Sequence, residues 1–202
     1  MSKISIPLFP LRTVLFPDGP LPLRIFEPRY LDMISRCMKQ DSSFGVVLAT
    51  PENENADSDS DSFTANRIGT LAKVADWYQG SDGILGVTAC GGSRFSVMSY
   101  ERQTDGLYIG EVELLAHEPI EPLPEKYISM ANLLEAVIDD LGLLYTDLEK
   151  RYDDATWVGY RFAEVLPISL DDKQFCLELS GSERRLKFLQ PLLRSISKET
   201  SQ

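Results

Sequence analysis

Residues 8–40 read LFPLRTVLFPDGPLPLRIFEPRYLDMISRCMKQ, and the fold of the chain turns on how this stretch is read. Its apolar residues suit strands, yet Pro10, Pro17, Pro20, Pro22 and Pro28 interrupt it. Proline has no amide hydrogen and cannot donate to a sheet ladder. The first part therefore reads as an irregular hairpin with a turn at FPDG (16–19), in which Pro10 and Pro17 bend an edge while Pro20 and Pro22 shape the return strand. Such edge prolines also guard against pairing with a wrong chain. Pro28 suits the first turn of a helix, where the missing amide costs least. Tyr30 or Leu31, Ile34 and Met38 recur at helical spacing, which predicts a helix over 28–39.

Working outward, the next signals are strands. FGVVLA (44–49), RIGTLAKVADWYQ (67–79), GILGVTACGG (83–92), RFSVMSYERQ (94–103) and LYIGEVELLAH (107–117) are rich in β-branched and aromatic residues. GSDG, GG and DG separate the last four, which predicts an antiparallel meander able to close into a small barrel. GGS at 91–93 reads as a bulge or tight turn. After EPIEPLPE (118–125) the period becomes helical. Helices are expected from Tyr127 to about Gly142, across DATWVGYRFAEVL before Pro167, from a Ser169–Asp172 capping box, and from Ser182, with a kink or restart at Pro191. The expected class is α+β: a β pseudobarrel with one inserted helix over 1–118, and a helical bundle over 119–202 packed on it.

Composition narrows the function. The 202 residues carry a net charge of −11, which argues against nucleic acid as the main partner. The tightest basic cluster, Arg184, Arg185 and Lys187, reads as a solvated helix face. Cys37, Cys90 and Cys176 are an odd, scattered set and read as buried thiols. The N-terminus lacks the apolar core of a signal peptide and no run matches a membrane span, so a cytoplasmic protein is expected. The acidic stretch 51–66 alternates Asp57, Asp59 and Asp61, but Ser62 and Ile68 stand where a calcium loop needs Gly and Glu. It reads as a solvated loop, not a metal site.

Catalytic patterns are missing. The chain has no Gly-Lys dipeptide for a phosphate-cradling loop and no GxSxG elbow, and its one histidine, His117, lies outside any HExxH pattern. The pairs Asp139–Asp140, Asp153–Asp154 and Asp171–Asp172 are adjacent, so on a helix their side chains diverge by about 100°. No catalytic residue, metal or cofactor is expected.

PLFPLRTVLFPDGPLPLRIFEPRYLDMI, FGVVLA, IGTLAKV, GVTACGGSRFSV and GEVELL, in this order, resemble the N-terminal substrate-binding domain of Lon proteases. ATWVGYRFAEVLPISLDDKQFCLELSGSERRLKFLQPLL resembles the helical part of small, stand-alone bacterial Lon-domain proteins. The resemblance spans nearly the whole chain. It implies a PUA-like pseudobarrel (the fold of pseudouridine synthase and archaeosine transglycosylase domains) followed by a helical bundle. It also implies a non-catalytic protein- or peptide-binding module, tied to protein quality control, whose partners are unfolded or specific polypeptides and protease components. The ATPase and Ser–Lys peptidase domains of Lon lie beyond the matching region, and the chain is expected to lack both. Asp18 departs from the family, which usually has Gly there, and the 51–66 insert lengthens a variable loop.

The partner-binding candidates are Phe16 and Pro17, expected at the surface because a turn limits burial, with Trp77 or Trp157 completing a shallow hydrophobic groove near the FPDG turn. Glu27, Arg29 and Tyr30 come from the EPRY motif. The first two are expected to cap the helix and pair, holding the hairpin to it. On this reading Phe16→Ala leaves the melting temperature unchanged and Tyr30→Ala lowers it. The alternative is RNA binding through the PUA-like fold, which requires a basic face on the barrel.

Overall fold

The computed structural model describes residues 3–51, 63–146 and 148–199, in two compact units, 1–116 and 117–202. Of the acidic stretch 51–66 read as a solvated loop, residues 52–62 lie outside the described residues, while Pro51 and Phe63–Ala65 are strand and not loop.

The first unit is a mixed seven-stranded sheet with one helix. Its strands are β1 (Lys3–Leu11), β2 (Pro20–Ile25), β3 (Phe44–Pro51), β4 (Phe63–Ala65), β5 (Ile68–Gln79), β6 (Leu85–Arg102) and β7 (Tyr108–Leu114). The meander β5–β6–β7 is antiparallel as expected. GILGVTACGG and RFSVMSYERQ are one continuous strand, however, with Gly92 and Ser93 bulged opposite Leu71. β1 pairs antiparallel with β7 through residues 3–8 and parallel with β3 through residues 8–11. The order β1–β7–β6–β5–β3 thus returns to β1, and the circuit closes.

The expected first hairpin does not form. β2 pairs with β6, not with β1. The connection instead drops Val14, Leu15 and Phe16 into the interior, where buried Thr70 donates its hydroxyl to the Leu15 carbonyl at 2.6 Å. The chain then turns at FPDG, with the Gly19 amide donating to the Phe16 carbonyl at 3.0 Å. Asp18, at φ 58°, donates its amide to Gly91 at 2.8 Å, and the Gly91 amide donates to Gly19 at 2.9 Å. This is the bulge geometry whose first residue is usually a left-handed glycine; aspartate is among the few other residues that tolerate it. Gly91 is needed for a different reason: a Cβ there would press on the Phe16 carbonyl oxygen.

The bulge sets the register of β2. Gly19 and Gly91 form a hydrogen-bonded position, so by alternation Pro20 opposite Cys90 and Pro22 opposite Thr88 do not. Their nitrogens face away from β6. Among the described residues β2 pairs with β6 alone, so both prolines remove donors from an open edge, not from the ladder.

Helix α1 (Pro28–Gln40) follows β2 with Pro28 in its first turn. Its inner stripe is Tyr30, Met33, Ile34 and Cys37, while Met38, expected inside, is exposed. The helix stops at Asp41, which is left-handed at φ 52°. The core beneath it gathers Phe9, Leu15, Ile25, Phe44, Val46, Val87 and Ala89. Tyr30 stacks on Phe9 with centroids 4.0 Å apart.

The second unit holds α2 (Ile128–Leu141), α3 (Ala155–Val165), α4 (Leu170–Glu178) and α5 (Ser182–Glu199). Gly142, at φ 60°, ends α2, and a short 3-10 turn (Gly142–Tyr145) follows. Asp154 caps α3 by accepting from the Thr156 amide, and Ser169 caps α4 by accepting from Asp172. α5 continues through Pro191 instead of restarting. Arg185 corrects the solvated-face reading: it is buried, forks onto Glu118 at 2.9 and 3.1 Å, and lies 3.8 Å over the Tyr160 ring.

Candidate functional site

The six candidates of the first unit, Phe16, Pro17, Glu27, Arg29, Tyr30 and Trp77, do not form one exposed surface, and Trp157 belongs to the second unit. Phe16 is 0% exposed, which overturns its expected place at the surface. A short turn limits burial only when it points outward, and here the preceding segment carries the ring into the core. Pro17 beside it is half-buried. Trp157 is buried against Tyr152, edge to face at 5.2 Å, and forms no surface groove. Tyr30 is core.

Glu27 and Arg29 form a structural staple. The Arg29 guanidinium donates through Nε to Glu27 at 2.9 Å and through Nη1 to the Gly106 carbonyl at 3.0 Å. Glu27 makes no side-chain cap to α1. What Arg29 ties to the helix is the turn between β6 and β7, not the first hairpin. Gly106 is left-handed at φ 84°, and its turn is shaped by Asp105, which accepts the Leu107 amide at 2.9 Å.

Trp77 remains, 56% exposed. β5 carries it past the edge of the core, opposite Val87 of β6, which is itself opposite Leu23 of β2. Directly opposed residues share a face. Trp77 therefore extends the apolar face whose inner members are buried, at the point where α1 ends. Between the last turn of α1 and β5 lies an open cavity of about 190 Å³, lined by Cys37, Met38, Val74, Ala75 and Trp77 with Asp41, Ser42 and Lys73. Ala75 is bulged, since Val74 pairs with Ala89 and Asp76 with Thr88, and the bulge turns the end of β5. The Asp76 carboxylate accepts the Trp77 amide at 2.8 Å and fixes the backbone there.

Electrostatically the cavity is nearly neutral. Lys73 and Asp41 pair at 2.8 Å. Burial pushes the Cys37 thiol above its usual range, against the smaller opposing effects of Ser42 and Arg36. Burial and the raised thiol both favour the uncharged form of Cys37 in the lining. What the site offers is an indole and a thioether at a small hollow of mixed polarity, with one screened ion pair in its lining. Among the described residues there is no group of three or more His, Cys, Asp or Glu placed to hold a metal ion. Likewise no helix is long and apolar enough to cross a membrane.

Sequence reasoning missed Met38, Tyr78 and Phe26, all exposed in this unit. A signal existed for one of them. Trp77 and Tyr78 are adjacent in a strand and must point to opposite faces. Tyr78 lies over Gly86, whose missing side chain makes room for the ring.

Comparison with known proteins gives this geometry its relatives. The chain matches the family model of the ATP-dependent protease La (LON) substrate-binding domain over residues 5–195. It is 24% identical over 208 residues to Lon protease of Escherichia coli (strain K12), covering 96% of this chain and 25% of that protein. It is 26% identical over 202 residues to Lon protease 1 of Bdellovibrio bacteriovorus, with 95% and 25% covered. It thus spans about a quarter of the length of these relatives. Among solved structures, a Lon N-terminal domain protein from Xanthomonas campestris superposes with a TM-score of 0.75 at 32% identity, covering 93% of this chain and 98% of that one. The N-terminal domain of Mycobacterium avium complex Lon protease shares the fold, with a TM-score of 0.64 at 12% identity and 93% and 97% covered. By sequence over nearly its full length and by fold, this chain belongs to the Lon substrate-binding domain family.

Proposed function

We propose that this domain is a non-catalytic module that holds apolar side chains of unfolded or specific polypeptides, in the cytoplasm and in the service of protein quality control, with protease components as further partners. The family supports polypeptide binding in general. The observation that carries the site is Trp77, held at the mouth of the cavity between α1 and β5 with most of its ring in solvent. An aromatic ring in water is costly to keep and valuable to cover, and tryptophan is enriched where partners bind. The architecture that goes with this reading is a PUA-like pseudobarrel followed by a helical bundle. The neutral cavity suits an apolar side chain better than a charged one.

The chain has two tryptophans, and Trp157 is buried, so Trp77 is a built-in reporter. Adding a reduced, alkylated, permanently unfolded polypeptide should shift the emission to the blue. Trp77→Phe should abolish the shift, and Trp77→Ala should weaken binding about tenfold or more. Binding that is unchanged in Trp77→Ala would remove the groove from the function.

A further inference from the structure

The second unit carries another apolar surface, and its surroundings say what would cover it. On α2, Leu133, Val137 and Leu141 stand at i, i+4 and i+8, along one side of the helix. Leu133 and Leu141 are exposed and Val137 is half-buried. The stripe continues into the turn after Gly142, where Leu144 is exposed and Leu143 is 93% exposed. This turn is anchored. Tyr145 is buried and donates its hydroxyl to Glu164 at 2.7 Å, and Arg161 reaches the same carboxylate at 3.3 Å. Gly142 takes the positive φ that the reversal requires. The leucines are thus presented by a turn pinned from behind.

The exposed charge on α2 has one sign. From Ile128 to Glu149 the chain has no Lys or Arg, while Glu135, Asp139 and Asp140 all lie exposed on α2. Of the flanking cations, Lys126 and Arg151 are engaged by Glu183 and Asp154, and Lys150 is exposed. The field reaches the neighbouring Tyr152, whose hydroxyl is pushed up by burial first and then by Asp139 and Glu135. A second copy of a chain with net charge −11 would bring like charge to a site of the same sign. A nucleic acid would do the same.

We infer that the leucine stripe of α2 and its following turn docks a cationic amphipathic segment of another protein, whose apolar side chains cover Leu141, Leu143 and Leu144 while a lysine or arginine meets Asp140, which borders the stripe, and the more distant Asp139 adds to the attracting field. This surface belongs to the second unit, and the proposal stands whether or not the Trp77 cavity of the first unit binds polypeptide.

The probe is a short fluorescent helical peptide of leucine and lysine, compared with a counterpart carrying glutamate in place of lysine. The lysine peptide should bind the full chain, and the glutamate peptide should not. Leu143→Ser/Leu144→Ser should weaken binding about tenfold. Asp139→Asn/Asp140→Asn should weaken it about threefold or more and flatten its salt dependence. Trp77→Ala should leave it unchanged. All the substituted leucines and aspartates are exposed, and unchanged melting curves would verify that the variants fold. No binding of the lysine peptide, equal binding of the glutamate peptide, or indifference to both double substitutions would overturn the proposal. So would self-association through this face with no peptide binding.

Discussion

Phe16 shows how much a single side chain can depend on the route of the chain. As part of an FPDG turn it reads as a surface residue; in the fold it fills the interior beside Leu15 and Val14. Phe16→Ala should therefore destabilise by about 3–5 kcal/mol in a denaturant titration, and not leave the protein untouched. Gly91→Ala should cost about 1–3 kcal/mol by the same measurement, because the added methyl meets a backbone carbonyl that cannot swing aside. The cysteines differ in a way that a thiol reagent can read. Burial pushes the Cys176 thiol up to about 12, with Arg185 opposing, and it also raises Cys37. In the native protein both should resist iodoacetamide, while half-buried Cys90 reacts faster. Mass spectrometry of the labelled protein distinguishes them, and unfolding should make all three equal.

At the scale of elements, Arg29 is the piece that ties helix to sheet in the first unit. Arg29→Ala leaves the Gly106 carbonyl and Glu27 without it and should cost about 1–3 kcal/mol. Hydrogen exchange should show the loss concentrated at residues 103–108. Meander order and helix starts were legible because they rest on local chemistry: turn glycines, Pro28 at N1, and the Ser169 and Asp154 caps. Which strand lies beside which was not. The β1–β3 and β2–β6 pairings join residues far apart in sequence, and nothing local in residues 8–40 says that their two strands part company. The candidate site was legible only at Trp77. Helical periodicity placed Met38 inward, but four buried residues already fill the inner stripe, and Met38 falls just beyond it.

For the molecule as a whole, charge is distributed less simply than the total suggests. The acidic surface coexists with buried arginines: Arg161 beside Glu164, and Arg185 forked onto Glu118. A regular polar–apolar pattern gives no hint of a buried cation, so the Arg184–Lys187 cluster misleads. Breaking the second pair with Glu118→Gln should cost about 3–5 kcal/mol, since it leaves a guanidinium buried without its counter-charge. Glu164 adds a dependence on pH. Burial raises its carboxyl above the ordinary 4.5, against the opposing pull of Arg161, Tyr145 and Lys173. The folded form therefore holds this proton more tightly than the unfolded chain does. Its contribution is full below 4.5 and is lost as pH rises through the folded value. Denaturation free energies measured from acid to neutral pH should contain this falling component, and Glu164→Gln should remove it.

The open edge of β2 bears on how such a domain could live with unfolded chains at all. An approaching extended segment seeks alternating donors and acceptors, and at Pro20 and Pro22 it finds two positions with acceptors only. It cannot be zipped into the sheet there, and so it cannot be copied from one molecule to the next in the manner of a growing fibril. In the proposed function, contact with sticky polypeptides would be left to side chains, which let go. The prolines that spoil a hairpin on paper thus separate holding a chain from templating one.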